Sequence, residues 1–417
     1  MEISKRIKQN IVWLVLTSLI LSVMACAGGT TIQATRPAKN LTPQVQSLQE
    51  IPTATRLSSV LPKSSLPTAT QPPTPTPVEM TVETIEIPAP SLKDNLLGTP
   101  DRQKIQIVLP PSYDRSNLHY PVVYFLPGFG GSPDEIGNYY TADQIGPLMV
   151  TGQVNEMILV VPNGANLLGG SFYVNSPVTG NWEDYILKDV IGYVDEHYRT
   201  IRAPEGRGIA GHSMGGYAAF HLAMRYPDIF GAAYLLSAGL LGEKGLADFH
   251  VLNPERRVLN FIKIMQDIHA LKGKAVLEAM GKLDGPNALA MAYGTAFSPD
   301  PEAGPPYFDY PYKEKNEKAV KDPKAWALWE DGMGNLKQKV QDYHDNLVKL
   351  SGIAIDYARQ DRLDWIPRGS DYLASLLTET GIPNEVYSYD GEHGDLIPER
   401  IAQVMLPFMS RALVGPR

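Results

Sequence analysis

The sequence predicts an α/β protein in which a mostly parallel central sheet is flanked by helices, and three observations carry that prediction. Apolar runs of strand length alternate with longer amphipathic segments from about residue 103 to the C-terminal end. Several of those runs are apolar nearly throughout, as strands are when helices cover both faces of a parallel sheet. The rhythm breaks once, between Ala238 and Ser351, and then resumes.

In chain order the expected strands are "QKIQIVLP" from Gln103, "PVVYFLPG" from Pro121, "MILVVPNG" from Met157 and "GRGIAG" from Gly206, followed by "GAAYLLSA" from Gly231, "GIAIDYA" from Gly352 and "EVYSYDG" from Glu385. "NWEDYILKDVIGYVDEHY", "GYAAFHLAM" and "SDYLASLLTETG" supply helices between them. The break at about 239–350 holds a helical stretch, "ERRVLNFIKIMQDIHALKGKAVLEAMGKL", a proline and aromatic loop, "FSPDPEAGPPYFDYPY", and a second helical stretch around "WALWEDGMGNLKQKVQDYHDNLVKL". An excursion of this size between two sheet strands is expected either to cap the sheet edge where ligands enter or to add packing helices.

Before the first of these strands the chain has a different character. Lys5, Arg6 and Lys8 precede an apolar stretch from Ile11 to Met24, and small residues surround Cys26, so residues 1–26 read as an export signal. The stretch is shorter than the twenty or so apolar residues a spanning helix needs. "VMAC" resembles the lipobox of bacterial lipoproteins, with Met24 an unusual residue for its position, and the resemblance implies lipidation of Cys26 and an extracytoplasmic, membrane-anchored product. Residues 27–82 are rich in Thr, Pro, Ser and Gln, with too little apolar surface to offset ordering, so they are expected to form a disordered tether. The folded domain is expected over 83–417.

At 417 residues and 43% hydrophobic content the chain can bury a substantial core. A net charge of −8, with no Lys/Arg run, argues against nucleic-acid partners. The single cysteine excludes intramolecular disulfides and thiolate metal clusters.

"RGIAGHSMGGYAAFHLAM", from Arg207 to Met224, surrounds Ser213 with Gly211, Gly215 and Gly216. A G-x-S-x-G string alone is weak, but here a strand runs into it and a helix follows, which is the context of a nucleophile elbow. Such a turn strains its central residue, and glycines at 211 and 215 relieve collision with neighbouring elements. A serine hydroxyl needs a base, and of eight histidines only His393 lies on a glycine-flanked loop after the last strand. His212 is expected to point away from the serine. The acid should follow the penultimate strand: Asp361 sits just past its end, Asp364 is the alternative, and Asp356 falls inside the strand and is expected to serve local packing. Oxyanion donors are expected from the amides of Met214, after the nucleophile, and Phe129, in the loop "FLPGFGGS". Tyr173, Trp182 and Glu183 lie near the expected mouth, where they could bind substrate or simply pack.

"YPVVYFLPGFGGSPDE", "RGIAGHSMGGYAAFHLAMRYPDIFGA" and the "GEHG" ending resemble the esterase family related to esterase D, which includes S-formylglutathione hydrolases, feruloyl and acetylxylan esterases and mycolyltransferases. The resemblance runs from about Glu83 to Leu413 and implies an α/β-hydrolase fold, with Ser213, Asp361 and His393 as triad and Met214 and Phe129 as oxyanion donors. Many members carry His-Gly where this chain has Pro127-Gly128. The implied reaction is hydrolysis of short-chain acyl or carbohydrate-linked esters through an acyl-enzyme, with no metal or organic cofactor. Acyl transfer to a sugar alcohol is the alternative, and a catalytically silent binding protein the third reading.

Overall fold

The computed structural model describes residues 80–133 and 142–417. The expected export signal, Cys26 and all but the last residues of the expected tether lie outside the described residues. Strand β1 (Thr81–Pro88) already begins two residues inside the stretch expected to be tether. Its signal was the alternation of Ile85 and Ile87, which turn toward the core while Thr84 and Glu86 face solvent.

The strands that follow are β2 (Arg102–Leu109), β3 (Val122–Leu126), β4 (Ile158–Pro162), β5 (Arg207–His212), β6 (Ala232–Leu236), β7 (Gly352–Ala358) and β8 (Glu385–Tyr389). They form one eight-stranded sheet in the order β1-β2-β4-β3-β5-β6-β7-β8. β1 pairs antiparallel with β2, and β2 antiparallel with β4. Every later pairing is parallel, so the C-terminal ends of β3, β5, β6, β7 and β8 share one edge.

All five residues of each of β3, β4 and β6 are buried, as the apolar runs require. The period of two divides them between faces. Val122, Tyr124, Ile158 and Val160 pack with helix α2 (182–197), α3 (Met214–Arg225) and α4 (Trp365–Glu379). Val123, Phe125, Leu159 and Val161 pack with α1 (Ala142–Val150) and α5 (397–412) on the other face. A buried ion pair fastens α5 to the sheet: Arg400 donates to both carboxylate oxygens of Asp356, at 2.8 and 2.9 Å, and Tyr234 donates to the same group. Asp356 is therefore packed inside its strand, as its position implied.

The excursion at 239–350 folds as helices Glu255–His269, Lys274–Gly281, Gly285–Phe297, Pro323–Asp331 and Leu336–Asp342 with a short hairpin, Tyr312–Lys315 against Lys318–Lys321. The long helical stretch is broken at Gly273, whose φ of +58° suits glycine. The hairpin was not apparent in the sequence because Asn316 and Glu317 make its turn without a glycine, both at positive φ. Tyr293 is the hub of the insertion. Its ring lies 5.4 Å from Phe172, 5.2 Å from Phe249, 4.5 Å from Phe297 and 5.0 Å from Trp329, and its hydroxyl donates to the Trp329 carbonyl and accepts from the Met333 amide. The excursion thus packs into the same core as the sheet, and Phe172 links its aromatic cluster to Met214 beside Ser213.

A second polar knot joins α2 to α3. Glu183 accepts from His221 Nε2 at 2.9 Å, from Tyr226 and from Arg225 at 3.4 Å. Burial opposes its charge, but the His221 and Tyr226 hydrogen bonds and the neighbouring charges hold the carboxyl down to about 2. His250, which accepts from Trp365 Nε1 at 3.1 Å, is pushed down to about 4 by burial and then by the Arg257 charge.

Two outcomes follow from this packing. Tyr293→Ala should lower unfolding stability by about 3 to 5 kcal/mol, as loss of a buried aromatic does, and Tyr293→Phe by about 1 to 3 through the unpaired Met333 amide; urea unfolding measures both. Acidification should destabilise the domain in two stages. An unfolded histidine takes up a proton near 6.5 while folded His250 resists until about 4, so stability falls as pH drops through that window. The Glu183 contribution, present above its unfolded value of 4.5, is lost as pH falls from there toward 2. Melting temperatures read across pH should show His250→Gln making the first stage shallower, the buried His212 and His221 sharing the remainder, and Glu183→Gln flattening the second.

Candidate active site

Strand β5 delivers Ser213 to the C-terminal edge of the sheet, and α3 begins at the next residue. Ser213 has φ +57° and ψ −115°, a conformation that costs on the order of 1 to 3 kcal/mol and persists only where neighbours impose it. Here the neighbours are backbone. The Ser213 amide donates to the Leu236 carbonyl at 2.9 Å, and the Ser213 carbonyl accepts from Gly239 at 2.9 Å and Tyr217 at 3.0 Å. A side chain at 211 would strike the Gly215 backbone, and one at 215 the Leu126 carbonyl. The two glycines let strand and helix cross this closely.

His393 and Asp361 arrive on adjacent loops. His393 Nε2 is 2.9 Å from Ser213 Oγ, and its Nδ1 is 2.6 Å from Asp361 Oδ2. The Asp361 side chain is fully buried, its other oxygen accepting from the Leu363 amide at 2.8 Å, while the His393 side chain is 18% exposed. A carboxylate on Nδ1 fixes the tautomer, leaving Nε2 to accept from the hydroxyl. The two loops are tied by the Gln360 amide on the Gly391 carbonyl and the Arg362 amide on Glu392, both at 3.2 Å. Asp364, the alternative acid, lies at the start of α4 and pairs instead with Arg368 at 2.6 Å.

The loop after β3 packs directly beneath the serine. A side chain at 128 would come within 3.2 Å of His212 Nδ1 and 3.3 Å of Ser213 Cβ, so any larger residue would crowd both. The Gly130 amide donates to the Gly169 carbonyl at 2.8 Å and the Gly131 amide to the Gly128 carbonyl at 3.1 Å, whereas the Phe129 amide has no partner among the described residues. Met214 begins α3, so its amide belongs to the first-turn donors that no helical carbonyl can reach. Gly169 and Gly170 lie over the Phe129 ring, and Met214 Sδ accepts from the Phe172 amide at 3.4 Å. The paired glycines of "LLGGSFY", from Leu167, are the sequence signal of this bracing role.

Three residues expected near the mouth are placed elsewhere. Tyr173 and Trp182 are fully buried, the first donating to the Pro127 carbonyl at 3.1 Å and the second to the Thr179 carbonyl at 2.8 Å, so neither offers a face to a substrate ring. Glu183 is held in its knot with His221 and Tyr226, at the wall of a cavity of about 430 Å³ that Tyr217, Phe297 and Lys339 also line and that does not include Ser213. Apolar packing against the sheet took precedence over exposure, as it does for most large aromatics. His212 makes a contact that its place beside the serine did not suggest: its ring lies 4.7 Å from that of His393. Among the described residues, no group of three or more His, Cys, Asp or Glu side chains is arranged to hold a metal.

Residues 98–291 match the sequence family described as "Putative esterase", a stretch that contains Phe129 and Ser213 and ends before Asp361 and His393. Esterase Rv1288 and Esterase MT1326 of Mycobacterium tuberculosis (strains ATCC 25618 / H37Rv and CDC 1551 / Oshkosh) are each 30% identical to this chain over 134 residues, 31% of its length. The aligned stretch spans only 27% of those relatives. A solved structure of a ferulic acid esterase covers 81% of this chain and 100% of its own at a TM-score of 0.53 and 19% identity, a likeness of fold. The matched segment and the relatives agree in making residues 98–291 similar to esterases, and the eight-stranded sheet carries them on a fold like that of the ferulic acid esterase.

Proposed function

We propose that this protein is a serine carboxylic ester hydrolase working through an acyl-enzyme. The observation that carries the reading is the unbroken hydrogen-bonded line Asp361–His393–Ser213, at 2.6 and 2.9 Å, ending on a serine held in the elbow conformation. Ser213 Oγ attacks the ester carbonyl carbon while His393 Nε2 takes its proton, and Asp361 stabilises the imidazolium that forms. The amides of Met214 and Phe129 receive the negative charge developing on the carbonyl oxygen. The proton then passes from His393 to the departing alcohol, water attacks the acyl-enzyme with His393 again as base, and the acid leaves as Ser213 is regenerated.

Short-chain acyl or carbohydrate-linked esters are the proposed substrates, on the strength of the family resemblance. The cationic and apolar first 26 residues, ending at Cys26, support export and lipid anchoring, which would place this chemistry outside the cytoplasm.

Hydrolysis of a panel of p-nitrophenyl esters, acetylated xylan and methyl ferulate tests the reading: turnover is expected on short acyl chains, with loss of activity and of fluorophosphonate labelling in Ser213→Ala. Labelling that persists in that variant would refute the assignment of the nucleophile, and a preference for long chains would overturn the substrate class. Asp361→Asn should lower kcat by about 10³- to 10⁴-fold through the wrong histidine tautomer, while Asp364→Asn should stay near wild type; steady-state kinetics of the pair decide between the two carboxylates.

A further inference from the structure

His212 precedes the serine on β5, is buried, and is not needed for the chemistry just described. Its Nε2 nevertheless lies 2.8 Å from the backbone carbonyl oxygen of His393. A carbonyl can only accept, so His212 carries its proton on Nε2 and leaves Nδ1 bare, beside Gly128. The segment that presents His393 has little else to hold it from this side. Glu392, Gly394, Asp395 and Leu396 are all exposed, and the ties from Gln360 and Arg362 come from the acid loop.

We infer that His212 is a positioning residue for His393, its Nε2–H fixing the 393–394 peptide so that the His393 ring stays in line between Asp361 and Ser213. The inference rests on the serine esterase reading above. It also accounts for the close fit at residue 128, where a Cβ would crowd the His212 ring and Ser213.

The donor must be neutral to do this. A cation at 212 would oppose the imidazolium forming on a ring 4.7 Å away. Burial, followed by the His393 charge, pushes His212 down to about 3, against the pull of the His393 carbonyl and of Asp361, the other charged group facing it. His212 therefore remains an uncharged donor while His393 cycles. An amide side chain of matching reach should substitute for it, and a ring of matching size without a donor should not.

The test compares His212→Phe, His212→Gln and His212→Asn in the full chain, reading kcat, KM and the rate of fluorophosphonate labelling at Ser213. Gln carries its N–H where Nε2 of histidine lies; Asn is one methylene short. His212→Phe and His212→Asn should lose about tenfold in kcat and labelling rate with KM unchanged, the scale on which a misplaced catalytic group is felt, while His212→Gln stays within about twofold of wild type. Wild-type labelling in His212→Phe overturns the inference, as does a Gln variant no better than Asn, a comparison that stands even if the Phe variant does not fold. Failure of the wild-type protein itself to label at Ser213 would overturn the esterase reading and this inference with it; normal labelling there with indifferent variants at 212 would remove only the role of His212.

Discussion

The close crossing of β5 and α3 is the constraint on which the rest of the site depends. Backbone meets backbone there: the Gly215 segment of α3 lies against the Leu126 carbonyl at the end of β3, and Gly211 lies against Gly215. That contact forces Ser213 out of ordinary backbone territory and lifts its hydroxyl clear of the sheet. It also fixes β3 and β5 as immediate neighbours at their C-terminal ends, so the Phe129 loop emerges beside the serine. Ser213 and the Phe129 loop, the proposed nucleophile and oxyanion loop, are thus set by one steric decision.

The proposed acid and base depend on a different kind of order. Asp361 and His393 follow the ends of β7 and β8, and short polar ties align their loops: Arg359 on Tyr389, Gln360 on Gly391, Arg362 on Glu392. Below them the Asp356–Arg400 pair anchors β7, which leads into the Asp361 loop, to α5, which follows the His393 loop. A buried pair of this kind contributes little net stability compared with apolar packing, but breaking it leaves an uncompensated charge, so it specifies one arrangement of β7 against α5. The aromatic insertion around Tyr293 acts from the other side, pressing Phe172 toward Met214 and the start of α3.

Legibility in the sequence followed the nature of each signal. Seven strands and the helices α2, α3 and α4 could be read because burial on both faces leaves uninterrupted apolar runs and helical periods. The elbow was legible because glycine has no substitute at 211 and 215. Chain order and loop context then singled out His393 and Asp361, and the structure brings both to Ser213. Long-range geometry was beyond such reading. Nothing local says that Trp182 turns inward onto Thr179, or that His212 reaches a carbonyl 181 residues away in the chain. The hairpin at 312–321 was missed because its turn lacks glycine, and β1 because its alternation is short and adjoins a proline-rich segment.

The insertion's shared core has a consequence for how substrates reach the serine. Lifting those helices as a hinged flap would bare Tyr293, Phe249 and Trp329 to water together. Swinging those helices aside would therefore cost the burial of the whole aromatic cluster, so their side of the approach to Ser213 keeps the shape that this packing gives it.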